Sequence, residues 1–97
     1  MLSDTAKKFI FQASREFVQA CTDYSFMPTM PNYARVKSRL LQLSLANIPP
    51  DQIKFAEKLV KTFYESFLYK ERIDQPLVES QLGLFVESVN YLLEDRV

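Results

Sequence analysis

Side chains able to do chemistry are scarce in this 97-residue sequence, and their spacing speaks against catalysis. There is no His, no Trp and one Cys. Without imidazole, neither a Ser–His–Asp nor a Cys–His nucleophile can be assembled, and histidine-dependent Zn, haem and di-iron sites fall with them. Cys21 lies on the apolar side of a helical pattern, with no base or cationic neighbour to depress its pKa. It reads as a packed thiol rather than a nucleophile. Carboxylates recur as Glu57 and Glu65, Glu79 and Glu87, and Glu94 and Asp95. Glycosidase or metal chemistry needs such groups to converge in a cleft, whereas these fall on polar helix faces and read as solubilising charge. A di-metal site in a helical bundle would further need inward Glu and Glu-x-x-His. The expectation is no catalytic residue, no metal ligand and no cofactor. A metal enzyme built on carboxylates ranks last among the readings.

Binding has more to work with. Arg35, Lys37 and Arg39 are the only charges of one helical segment. Arg35 and Arg39 share a face one turn apart and can contact phosphates, while Lys37 points elsewhere. Three cations make a weak footprint for nucleic acid, and the sequence pI near 6.2 is low for such a module. Pro49-Pro50 also stands where a recognition turn would favour Gly. A nucleic-acid-associated subunit is therefore the alternative reading rather than the first.

The most informative pattern is apolar. In the last segment Val78, Leu82, Phe85, Val89 and Leu92 form a heptad seam. Leu77, Leu84 and Tyr91, seven residues apart, make a second strip beside it, and Gln81 and Ser88 between them carry no charge. Phe11 and Val18, Leu41 and Leu45, and Phe55 likewise lie off the inner faces of their segments. The stretch Tyr24 to Pro31 is unusually apolar for a connector and contains Phe26, Met27 and Met30. Met adapts readily at binding surfaces. These three are expected to cover one end of the fold and leave part of it accessible to a partner. Off-core strips can reflect wide buried faces, but their repetition also marks a surface that a partner buries.

The elements that must position these residues are helices. Five prolines punctuate the chain, there is one Gly, and no alternating strand pattern occurs. Phe9, Ala13, Phe17, Ala20, Cys21 and Tyr24, with Ile10 beside them, give one amphipathic face over residues 4–23, capped by Ser3 or Asp4. Asn32 caps a second helix to residue 46, with Tyr33, Val36, Leu40 and Leu43 inward and Asn47 able to end it. A third helix starts at Pro50, where Pro suits the first position and Asp51 complements the dipole. It runs to residue 70 with Ile53, Ala56, Val60, Phe63, Tyr64 and Phe67 inward, and Phe63 and Phe67 at the centre of the core. The fourth follows Asp74-Gln75-Pro76 and runs to Asp95. Short connections favour antiparallel neighbours. The expected fold is all-α, an antiparallel four-helix bundle forming a single helical domain over residues 1–97.

The charge pattern is split. Residues 1–48 carry six bases against three acids, and residues 49–97 carry six against nine, for a net charge of zero. Opposite halves can fold together or present separate faces to partners. One Cys forms no internal disulfide and fits a reducing, cytoplasmic setting. No 18-residue apolar run spans a membrane, and the first residues do not read as a signal sequence. The functional expectation is a non-enzymatic protein–protein interaction module, an adaptor, assembly factor, inhibitor or regulator. It would dock a protein partner, first of all as a homodimer, through Leu77, Leu84 and Tyr91 and through Phe26, Met27 and Met30.

Overall fold

The computed structural model describes residues 2–94. Four helices follow in order, α1 (Asp4–Phe26), α2 (Met30–Leu45), α3 (Pro50–Tyr69) and α4 (Gln75–Leu93). No strand occurs among the described residues. α1 packs on α2 and α4, and α3 packs on α2 and α4, while the diagonal backbones stay apart and touch through core side chains such as Tyr24 and Phe63. The connectors are residues 27–29, 46–49 and 70–74. Such short links force each helix to run back beside the last, giving an up-down-up-down four-helix bundle. Its extents are 43 × 22 × 19 Å.

Each boundary has a local cause. The Ser3 hydroxyl accepts from the Ala6 N–H and opens α1. α1 continues past Asp23, where the sequence placed its end, because Pro28 disfavours helix only from Met27 onward. The Met27 N–H closes it by donating to the Asp23 carbonyl at 2.9 Å. Tyr24 to Pro31 is thus not a long loop. α2 is capped by Thr29, whose hydroxyl accepts from the Asn32 N–H. Asn32 is not the cap, because Pro31 is well tolerated in a first turn and the helix starts before it. Asn32 instead donates its side-chain amide to the Met27 carbonyl at 2.9 Å. Asn47, in the left-handed region at φ 61°, follows the end of α2. Lys70, at φ 54°, ends α3 the same way. The Asp74 carboxylate accepts from the Leu77 N–H and opens α4. Asp95, where the sequence ended this helix, lies outside the described residues.

The core is drawn from all four helices. Phe17, Tyr24, Phe63 and Phe85 are its largest fully buried side chains, packed with Ile10, Leu43 and Leu59. Phe63 sits against Tyr24, ring centroids 4.7 Å apart. Three inward assignments need correction. Phe9 is exposed because it lies at the α2-facing edge of the first turns of α1, where α2 ends in a shallow recess lined by Leu45 and Ala46. Phe67 is 48% exposed and does not share the centre with Phe63. It lies one turn nearer the end of α3, where Tyr33 stacks on it with centroids 6.3 Å apart and planes 11° apart. Tyr64 is exposed on the α2 side of the same turn.

Candidate partner-docking surfaces

The end of the bundle where α1 finishes and α2 begins also receives the end of α3 and the start of α4. Phe26, Met27 and Met30 stand there at 56–73% exposure. They do not close the core, because Tyr24, Tyr33 and Phe63 already do. Leu68 and Tyr69, at the same end, are exposed as well. The same end holds an open recess of about 670 Å³ whose walls include Pro28, Phe67, Leu68, Lys70 and Arg72, but not Phe26, Met27 or Met30. Gln75 stitches this end together by donating its side-chain amide to the Ser25 carbonyl at 2.7 Å.

Leu77, Leu84 and Tyr91 are 41–47% exposed, about half free of the fold. Each lies on the side of α4 turned toward α3 and outward, because Val78, Phe85 and Val89 take the inward side. Val86 and Leu93 occupy the opposite flank, where they meet Phe11, Val18 and Ser14 of α1 around a groove of about 240 Å³. Of the other off-core strips, Phe11, Leu41 and Leu45 are exposed. Val18 and Phe55 pack partly against the core.

The α2 cations are largely engaged. Arg35 donates to the Asp23 carboxylate. Arg39 donates to Glu16 at 3.1 Å and to the Gln42 side-chain carbonyl at 2.9 Å. Lys37 lies over the Tyr33 ring, 5.9 Å from its centroid. The hydrogen bonds from Arg35, and then from Gln19, hold the Asp23 carboxyl below the ordinary aspartate range. The sequence placed Arg35 and Arg39 on one face correctly but could not show that α1 presents Asp23 and Glu16 to that face.

No family model, no curated relative and no solved structure matches the chain. The functional reading therefore rests on geometry alone.

Cys21 is fully buried, and desolvation pushes its thiol far above the ordinary range. Among the described residues no group of three His, Cys, Asp or Glu side chains gathers to hold a metal ion. No described helix is long and apolar enough to cross a membrane.

Sequence reasoning missed Leu68, Tyr69 and Val86 as exposed apolar residues. The signal was present for Leu68 and Tyr69, which directly precede the Lys70-Glu71-Arg72 run that ends α3. Side chains in a last turn often project beyond the neighbouring helices.

Proposed function

We propose that this chain is a non-enzymatic protein-interaction module that docks a protein partner through apolar helix surfaces left outside its core. The observation that carries the reading is the half-exposed line Leu77, Leu84 and Tyr91 on one side of α4. Three half-exposed apolar side chains in line on a helix that already buries Val78, Phe85 and Val89 are costly to leave in water. Phe26, Met27 and Met30 offer a second, adaptable surface at the bundle end. The inert, buried Cys21 thiol supports a role without covalent chemistry. As a free thiol it also suits a reducing compartment such as the cytoplasm. An adaptor, assembly factor, inhibitor or regulator would each use such surfaces, with self-association the first state to look for. The nucleic-acid reading is weaker in this geometry, since Arg35 and Arg39 are held by α1 carboxylates.

The test is affinity purification of the tagged chain beside Leu84→Glu and Met27→Ser variants, with helix content checked by circular dichroism. Co-eluting protein, including untagged copies of the chain, should be lost in at least one folded variant. Equal recovery from all three chains would overturn the reading.

A further inference from the structure

Gly83 serves nothing within one copy of the chain. It is the one glycine of the sequence and stands in the middle of α4. Its φ is not positive, so no turn calls for it. A Cβ built on it would meet nothing within 4 Å among the described residues, so no neighbouring helix needs its smallness. Gly in a helix interior is nonetheless a costly choice beside Ala. Over it lies an open hollow of about 490 Å³, walled by Val86, Glu87, Asn90 and Glu94. Val86 and Asn90 also wall the α1–α4 groove, so hollow and groove form one surface. Its two edges differ in charge. Away from α2, α1 carries Lys7, Lys8 and Arg15 against Asp4 in its first turn. Glu16 and Asp23 turn to α2, where Arg39 and Arg35 hold them. α4 and its cap carry Glu79, Glu87 and Glu94 and no Lys or Arg. Between the edges stand exposed Phe11 and Val86, with Val18 and Leu93 partly buried. Gln75 bonds to Ser25, and Phe85 packs on Phe17, which fixes the register of the two antiparallel helices. Counting 1.5 Å per residue from those contacts puts Val18 level with Gly83, and Arg15 level with Glu87 to within about 3 Å.

We propose, going beyond the reading of the chain as an interaction module, that a second copy of the chain covers this α1–α4 face. The copies are related by a two-fold axis parallel to the helices. That operation lays α1 of each copy on α4 of the other at unchanged height. Val18 of one copy then faces the hollow over Gly83 of the other, where any larger residue would hold the helices apart. Arg15 meets Glu87 of the other copy, and Phe11 falls over its Val86 and Asn90. Each contact is made twice. The alternative two-fold, perpendicular to the helices, lays α1 on α1 and α4 on α4. It opposes the α4 carboxylates to one another, and like charges across an interface are strongly disfavoured. A face that is basic along one edge and acidic along the other is its own complement only under the first symmetry. Two helices about 30 Å long, side by side and each about 10 Å wide, offer roughly 600 Å² per copy. The total of about 1,200 Å² is the lower edge of the range for stable pairs. Leu77 and Leu84, on the α3 side of α4, stay outside this contact and open to another protein.

Sedimentation velocity tests this directly. The wild type should be dimeric at ~100 μM, a concentration that populates any dimer with a micromolar dissociation constant. Gly83→Gln puts a side chain into open space on each monomer and replaces a poor helix former with a good one. At a dilution where both chains are monomeric it should melt no lower than the wild type, yet its dimer should be weaker on the order of tenfold or more. Arg15→Glu and Glu87→Arg should each weaken the dimer on the order of tenfold, because each opposes like charges twice. The double variant Arg15→Glu/Glu87→Arg should restore it, and an equimolar mixture of the two single variants should form a heterodimer. Gly83, Arg15 and Glu87 are all exposed, and unchanged helix content would show the chains folded. A monomeric wild type, or a dimer indifferent to Gly83→Gln or to both single reversals, overturns the inference. A monomeric wild type that still retains a different protein through Leu84 overturns only the second copy as occupant, and leaves the interaction-module reading standing.

Discussion

Phe17 of α1 and Phe85 of α4 meet edge to face in the middle of the bundle, ring centroids 5.3 Å apart and planes inclined at 62°. Both are fully buried. Positive ring edge against negative ring face adds to the area that each removes from water. The pair also joins the first helix to the last, closing the ring of helix contacts that the short connectors leave open between α4 and α1.

Truncating this pair should therefore be severe. Phe17→Ala or Phe85→Ala should each cost ~3–5 kcal/mol in urea or guanidinium unfolding, since neither site can collapse without moving a helix. A double-mutant cycle should return a coupling of about 1 kcal/mol. Phe67→Ala should cost much less, about 1 kcal/mol, because its ring is half exposed and stacks on one side only. Equal losses at Phe67 and Phe85 would contradict the placement of the core.

How far the sequence discloses this core depends on what a helical wheel measures. Periodicity gives direction, and it places Phe17, Cys21, Val36, Phe63, Val78 and Phe85 inward correctly. It gives no height, so it cannot show where the neighbouring helices stop. Phe9 and Phe67 point toward the bundle from its opposite ends, where little remains to bury them. The sequence does not disclose Thr29 as a cap, because Pro28 and Pro31 stand on either side of it and Pro31 reads as the end of a connector rather than the first turn of α2. The candidate strip Leu77, Leu84 and Tyr91 was legible from its seven-residue spacing alone.

The Asp23–Arg35 pair gives a pH signature. The folded carboxyl titrates below its unfolded value, so the folded state favours the ionised form. Its contribution is present above the unfolded value of about 3.9 and is lost as pH falls through the lower folded value. The pair is solvent-exposed, so the effect on stability should be small and screened by salt. The Asp23 carboxyl resonance should titrate below pH 3.9 in the wild type and move back toward that value in Arg35→Ala. An unshifted titration in the wild type would show that the pair does not persist in solution.

Cys21 should behave as a reporter of global unfolding. Its thiol is enclosed by the core, so aromatic disulfide reagents should label it at the rate at which the bundle opens and not faster. Its folded pKa lies above the unfolded value of about 8.5. The stabilisation is complete below that value and declines as pH rises beyond it, by up to about 1.4 kcal/mol per pH unit. Cys21→Ala should remove this part of the alkaline decline while creating a small cavity. Rapid labelling under native conditions would place the thiol at the surface.

Ser14 carries the opposite lesson about burial. Its side chain is buried beside the α1–α4 groove, and its hydroxyl oxygen has no hydrogen-bond partner in the structure. A buried hydroxyl left without a partner costs about 1–3 kcal/mol in lost hydration. Ala in the middle of α1 has no such group and is the better helix former by a few tenths of a kcal/mol. The single atom lost leaves little cavity, because the groove beside it is already open to solvent. Ser14→Ala should therefore raise stability by about 1 kcal/mol, which for a chain of this length is a rise in Tm of roughly 4–8 °C. Thermal and urea unfolding of the two proteins would measure it, and Ser14→Val would control for volume. If Ser14→Ala is instead destabilising, the hydroxyl is satisfied in solution, either by the Ile10 carbonyl one turn back or by water held in the groove, and the site is polar by design.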